Sequence, residues 1–339
     1  MQSPTHADIS AFAPQSKVPA FRLIAEELRM VGELIKQQLT ASAETGDIRG
    51  LLGHISNRSG KMIRPGLVLL AGRCCGKITD EHISVAAIVE MIHNATLLHD
   101  DVIDEGKQRR GLPTINSLWG NESAVLLGDF LLSRAFKMCA ELKPKTAKHI
   151  AAAAVRICEG EMRQVGQKHR WQLSEKEYLD VITEKSAVLF SCSCHLGGQL
   201  AGAGESQVRS LADFGLNAGI AFQITDDLLD IVGDENKTGK TLGTDIDKHK
   251  LTLALIHLLK TANEREKNVI ISSFLDRRDA QYDKNALIEM LDRYGSLEYA
   301  RSRAQEYIAA AKHVLAGLKQ SEAKDALIET ADFMADRVS

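Results

Sequence analysis

All six prolines of this chain stand at or before Pro144, which leaves 339 − 144 = 195 consecutive residues without one. Proline has no amide hydrogen and its ring collides with the preceding turn, so it interrupts helices. A proline-free stretch of that length, rich in Ala, Leu, Glu and Lys, allows helices many turns long. Aromatic residues make up only 5% of the chain, and the strict apolar–polar alternation of a half-buried strand is scarce. The expected fold class is therefore all-α.

Other whole-chain properties narrow the function. A hydrophobic content of 44% supports a sizeable core, and a net charge of −3 offers no basic field for nucleic acid. The six cysteines, at 74, 75, 139, 158, 192 and 194, have no zinc-site spacing and read as reduced thiols of a cytoplasmic protein. No uninterrupted apolar run reaches membrane-spanning length. The N-terminal residues lack the basic-then-apolar order of a secretory signal and the basic character of a transit peptide. Residues 1–20, with Pro4, Pro14 and Pro19, are expected to form a loose leader, and residues 21–339 one domain.

The chemistry is concentrated in two acidic repeats. Asp100, Asp101 and Asp104 form a DDxxD after the apolar run 83–98, and Asp226, Asp227 and Asp230 repeat it 226 − 100 = 126 residues later, with Asp234 one turn on. Positions i and i+4 share a helix face, so each repeat crowds carboxylates that repel one another unless a cation sits among them. One copy alone reads better as a solvated helix end. Two copies point to several Mg²⁺ ions held around a diphosphate, since Mg²⁺ takes oxygen ligands and bridges carboxylates to phosphate.

Cationic side chains occur at matching places. Lys61 and Arg64 precede or enter a helix at Pro65, where backbone N–H groups favour an anion; a surface turn is an equal reading. A helix is predicted from Thr79 to Asp104, which puts His93 on the face of Asp100, in reach of a phosphate, although a lone histidine is usually structural. Lys185 lies among apolar residues, where charge is costly without an anionic partner; a snorkelling lysine is the alternative. Further helices are predicted over 21–43, over 120–142 and over 145–170. On the second of these, Leu132 and Phe136 share a face and read as core, with a tunnel lining as the other option. On the third, Glu161 and Gln164 read as solvent-facing. A capping box joins Ser174 to Glu177. The second acidic helix runs from near Glu205 past Ile231, and the lysine-bearing loop 239–250 is placed to close over a diphosphate.

From about Phe21 onward, these motifs resemble the trans-prenyltransferases, the polyprenyl diphosphate synthases. The paired DDxxD motifs are highly specific to that family. Ser59-Gly60-Lys61-Met62-Ile63-Arg64-Pro65 matches its Gly-Gly-Lys-x-x-Arg-Pro, with Ser59 for the first glycine; Arg109-Arg110 matches its arginine pair; Lys185-Ser186-Ala187 matches its Lys-Thr-Ala. Lys240 and Lys250 match two loop lysines, with His249 in place of the usual Gly and Ala254 in place of a frequent Pro. The resemblance implies an isoprenoid-synthase bundle of many helices around a central apolar cavity, a homodimer, and about three Mg²⁺ ions per site. The substrates it implies are isopentenyl diphosphate and an allylic diphosphate primer. Asp100, Asp104 and Asp226 would be primary metal ligands, with Asp101, Asp227 and Asp230 ligating or orienting waters. Arg109, Lys185 and Lys240 would stabilise the leaving diphosphate. Lys61, Arg64, His93 and Arg110 would hold isopentenyl diphosphate, and Ser186, Gln223 and Lys250 would complete the substrate contacts. Arg337 sits in a C-terminal segment resembling long-chain members, either as a diphosphate contact or as a plain surface arginine.

Product length is read one turn N-terminal to the first motif. Ala95 and Thr96 are small where short-chain members carry an aromatic residue. A turn of about 5.4 Å approximates one isoprene unit, so the expected product is long, roughly six to ten units, with the floor deeper, near Leu132 and Phe136. The alternatives are a short-chain farnesyl or geranylgeranyl synthase, a class I terpene cyclase, and a non-catalytic subunit of a heteromeric synthase. A cyclase normally carries an Asn/Ser/Glu pattern at the second metal site, and non-catalytic subunits typically lose one aspartate motif. This chain keeps both DDxxD copies.

Overall fold

The computed structural model describes residues 18–40, 53, 60–109, 111–233, 244–275 and 283–336. Ser59, Arg110, Asp234, Lys240, Arg337 and nearly all of the expected leader lie outside them. Helices carry the fold, as the proline distribution allows. They are α1 (Ala25–Thr40), α2 (Ile63–Cys75), α3 (Asp80–Ile103), α4 (Ile115–Cys139), α5 (Pro144–Gly166), α6 (Glu175–Ile182), α7 (Val188–Leu200) and α8 (Glu205–Val232), followed by α9 (Thr244–Asp247), α10 (Leu253–Thr261), α11 (Glu264–Ile270), α12 (Lys284–Arg293), α13 (Ser296–Val314) and α14 (Glu322–Ala335). Among the described residues the only strands are a two-residue antiparallel pair, β1 (Gln108–Arg109) and β2 (Leu112–Pro113). No described helix is long and apolar enough to cross a membrane.

Local sequence accounts for several helix starts. Thr79 caps α3: His82 Nδ1 accepts from the Thr79 amide at 3.1 Å, and His82 Nε2 reaches Gly197 O at 3.1 Å, which fixes the buried ring at both nitrogens. Ser174 and Glu177 form the expected capping box at α6, with the Ser174 amide donating to Glu177 Oε2 at 2.9 Å. Two boundaries differ from expectation. Pro19 starts a 3-10 turn, Pro19–Ile24, with Val18, Ala20 and Phe21 buried, so packed structure begins before residue 21. The helix expected from Gly120 starts at Ile115 but breaks at Gly120 itself, whose φ of 86° leaves the helical region.

The described residues fall into two compact units. The first comprises residues 1–151, 192–212 and 317–330; in it α3 packs on α1, α2 and α4, over a core that includes Leu67 to Leu70 and Val85 to Val89. The second comprises residues 152–191, 213–316 and 331–339, and its core gathers Ile224, Leu228, Leu255, Leu258, Leu287 and Leu291. Within it, α8 approaches the start of α7 closely: a β-carbon on Gly215 would stand 2.5 Å from Phe190 O, and one on Gly219 would stand 2.8 Å from Ala187 Cα. Gln223, the next residue along that i, i+4 row, is thereby brought to Ser186, whose Oγ donates to Gln223 Oε1 at 2.7 Å.

Candidate active site

In the first unit the acidic motif occupies the end of α3, with Asp104 as its C-cap. A helix C-terminus carries partial negative charge, so three carboxylates there oppose both the dipole and one another. Asp100 and Asp104 are partly exposed, whereas Asp101 is buried and its Oδ1 accepts from Arg109 Nε at 2.8 Å. The loop after the helix folds back on it. Gly106 N donates to Asp101 O at 2.8 Å, Thr114 Oγ1 to Gly106 O at 2.6 Å, and Asn116 Nδ2 to Asp101 O and Gly106 O at 3.1 Å each. These bonds fix the hairpin that carries Arg109. Thr114 and Asn116 carry no sequence signal for this role beyond being polar.

The same unit holds the first cationic pair. Met62, in the left-handed region at φ 52°, turns the chain into α2. Lys61 is partly exposed just ahead of the helix, and Arg64 lies in its first turn at 9% exposure. Cations at a helix N-terminus oppose the dipole, as anions do at the other end. His93 lies on α3, two turns before Asp100, and is partly exposed. Ala95 is fully buried at 0% exposure; Thr96 is partly exposed, its hydroxyl donating to His93 O at 2.8 Å. Leu132 is partly buried, but Phe136 is 58% exposed, which corrects the reading of that pair as core: along α4 the buried positions are Leu127, Leu131, Ala135 and Met138, and Phe136 falls outside their face.

In the second unit the repeat motif closes α8. Asp226, Asp227 and Asp230 are all partly buried. Both oxygens of Asp227 are engaged: Oδ2 accepts from Tyr178 Oη at 2.6 Å and Oδ1 from Gln223 Nε2 at 2.7 Å. With the Ser186–Gln223 bond this makes a chain from Ser186 through Gln223 and Asp227 to Tyr178. Burial raises the Asp227 carboxyl to about 8, the Asp245 and Asp226 charges add to the rise, and the two hydrogen bonds oppose it. Burial likewise raises the Tyr178 hydroxyl well above its usual value. Asp230 Oδ2 accepts from the Asp245 amide at 3.0 Å, which ties α9 to the motif.

Lys185 has a protein partner, which corrects two expectations. Its Nζ stands 2.5 Å from Glu161 Oε2 and 2.9 Å from Gln164 Oε1, so those two side chains hold the lysine rather than facing solvent. The helix is distorted to achieve this. Residues Thr183–Ala187 form a π turn, a feature common at functional sites. A β-carbon on Gly160 would lie 2.5 Å from the Lys185 amide, so only glycine lets α5 come close enough to present Glu161 and Gln164. Lys250 is partly buried. His249 takes φ 57°, keeping the left-handed conformation that a glycine would supply there. Ala254 sits in the first turn of α10, a position that proline also tolerates. Sequence reasoning missed Tyr178, whose value rests on a partner 49 residues away.

Similarity to known proteins shows the family. The polyprenyl synthetase family profile matches residues 47–291, well over half of the chain. The chain is 36% identical over 289 residues to a short chain isoprenyl diphosphate synthase of Methanothermobacter thermautotrophicus, covering 84% of this chain and 88% of that one. It is 35% identical over 316 residues to the octaprenyl diphosphate synthase of Escherichia coli, covering 93% and 97%. Among solved structures, the polyprenyl synthase of Caulobacter crescentus complexed with calcium and isoprenyl diphosphate superposes with a TM-score of 0.90 at 34% identity, covering 94% and 97%. With an all-α fold and matches of this extent, the chain belongs to the polyprenyl synthetase family and is a prenyltransferase, a trans-polyprenyl diphosphate synthase.

Proposed function

We propose that residues 21–339 act as one Mg²⁺-dependent catalytic domain of the cytoplasm that condenses isopentenyl diphosphate head-to-tail with an allylic diphosphate, giving a long all-trans polyprenyl diphosphate. The observation that carries this reading is the placement of charge against the helix dipoles: both DDxxD motifs end helices, and Lys61 and Arg64 begin one. The donor chemistry suits Mg²⁺, although among the described residues no three of these side chains already converge on one point. All six groups are hard oxygen donors on partly exposed or buried aspartates, and Mg²⁺ is commonly held by one or two carboxylates together with substrate phosphates. In the first unit Asp100 and Asp104 would hold such ions, and in the second unit Asp226 and Asp230; Asp101, engaged by Arg109, and Asp227, engaged by Tyr178 and Gln223, would steady the geometry of each motif. When bound, the ion neutralises charge on the departing diphosphate oxygens. Calcium with isoprenyl diphosphate in the Caulobacter crescentus structure supports a cation–diphosphate site of this kind.

The chain's own residues do the rest. Arg109, Lys185 and Lys240 bind the allylic diphosphate and favour its departure, aided by Ser186, Gln223 and Lys250. Lys61, Arg64, His93 and Arg110 orient isopentenyl diphosphate so that its double bond attacks the allylic cation. Proton loss to the released diphosphate closes the step, and exclusion of water protects the cation. Purified protein incubated with both substrates and Mg²⁺ tests the reading. Asp100→Asn and Asp226→Asn should each lower turnover by about 10²-fold or more while the protein stays folded. Turnover at the wild-type level in either variant, at saturating Mg²⁺, would remove the motif from the catalytic centre.

Long product length rests on Ala95 and Thr96, both small one turn before Asp100. Ala95→Phe or Thr96→Phe should shorten the product to about three or four isoprene units, because each turn of helix spans about one unit. Chromatography of dephosphorylated products decides it: an active, folded variant that still makes the long product would place the chain's path elsewhere. A homodimer is supported by the apolar side chains that α4 exposes, among them Leu118, Val125, Leu126 at 67% and Phe136.

A further inference from the structure

Two short basic segments of the second unit meet. The turn after α5 carries Lys168, His169 and Arg170, and the residues after α9 are Lys248, His249 and Lys250. Four of these six residues, Lys168, Arg170, Lys248 and Lys250, are cations, so the segments repel unless something holds them together. What holds them is specific. The His169 amide donates to His249 O at 3.4 Å, and the two imidazoles face each other with centroids 4.1 Å apart. Trp171 presents its edge to both, at 5.8 and 6.2 Å, and is itself packed on the core of the unit. Both histidines take positive φ, 63° and 57°, a region that a residue with a β-carbon enters only at a cost. The histidine that replaces the family's glycine thus keeps the backbone shape and adds a ring that stacks on a second left-handed histidine.

Beside this stack lies a recess whose polar lining is Lys168, Lys250, Gln164, Gln167 and Tyr178, over an apolar part formed by Leu173, Val181 and Leu251. Gln164 also accepts from Lys185 Nζ, and Tyr178 donates to Asp227, so the recess shares two walls with the groups assigned to the allylic diphosphate. Arg170 is not part of it; its guanidinium pairs with Glu177 at 3.0 Å. We infer that Lys168 is a further binding residue for a diphosphate group, acting with Lys250 across this recess, and that the His169–His249–Trp171 stack positions the two lysines. The inference rests on the reading of the allylic site given above. The ligand is a diphosphate oxyanion, either still esterified to the primer or already released. A cleft lined with charge of one sign focuses the field and draws in such an anion, most strongly at low salt.

Calorimetric titration of inorganic diphosphate with Mg²⁺ into the full chain reads the site without needing turnover. Lys168→Gln should raise Kd about five- to tenfold, the scale of one charge-assisted hydrogen bond in a solvated cleft, and Lys168→Arg should restore most of the affinity. His249→Gly, which keeps the backbone shape and removes the ring, should weaken binding about threefold. In turnover, the KM of the allylic primer should follow the same order, while the KM of isopentenyl diphosphate stays within about twofold. The inference is overturned if Lys168→Gln leaves the inorganic diphosphate Kd within about twofold of wild type, or if both substrates' KM values rise together. A protein that binds diphosphate through Lys168 but elongates no primer would refute the proposed function and leave this site standing.

Discussion

Tyr178 is the residue whose role depends most on a single contact. Its hydroxyl reaches Asp227 Oδ2 at 2.6 Å, and Gln223 Nε2 takes the other oxygen. The carboxyl group is therefore oriented from two sides, which bears on the proposed Mg²⁺ site. Groups that orient metal-binding side chains typically matter about 10- to 100-fold in metal affinity or activity. Tyr178→Phe removes one hydroxyl and keeps the buried ring, so the core should survive. The Mg²⁺ concentration for half-maximal turnover should rise about tenfold, with an unaltered circular dichroism spectrum. An unchanged Mg²⁺ dependence would reduce Tyr178 to a packing residue.

Between elements of the first unit, α5 and α7 meet through a pair of histidines. The His149 and His195 rings stack at 3.8 Å with an interplanar angle of 11°. Burial, and then the neighbouring His195 and Lys145, lower His149 from 6.5 to about 4, and burial lowers His195 too. The consequence for stability has a definite sign. Between about pH 6.5 and 4 the unfolded chain binds a proton at residue 149 that the folded chain refuses, so acid favours unfolding across that window. Above it both states are neutral at this residue, and the contact contributes fully. Urea melts at pH 7.5 and pH 5 should therefore show a loss of stability on acidification that is smaller in His149→Gln. Equal losses in wild type and variant would assign the acid sensitivity to other groups.

At the scale of the whole molecule, α4 leaves Leu118, Val125, Leu126 and Phe136 exposed, and α5 exposes Val155, Met162 and Val165. Side chains of this size in water lose about 1.5–3 kcal/mol each relative to full burial, which is reason for a second chain to cover them. Size-exclusion light scattering should give a dimer for the wild type, as proposed, and monomers for Phe136→Asp, because a carboxylate is costly to bury without a partner. A variant that stays dimeric would move the interface off this part of α4.

The sequence by itself determined the elements and the chemistry they carry. Proline absence set the all-α class, Thr79 and the capping box at Ser174 set helix starts, and the paired DDxxD motifs named the family. These are legible because they depend on neighbours within one or two turns. Packing decided what each group touches. Asp101 and Asp227 became oriented carboxylates, Lys185 found Glu161 and Gln164, and Phe136 went to the surface. The Lys185–Gln164 partners are 21 residues apart, Ser186–Gln223 37 and Tyr178–Asp227 49. No local pattern encodes such pairs: the π turn and the close approaches at Gly160 and Gly219 set the register of one helix against another, and that register selects which side chains meet.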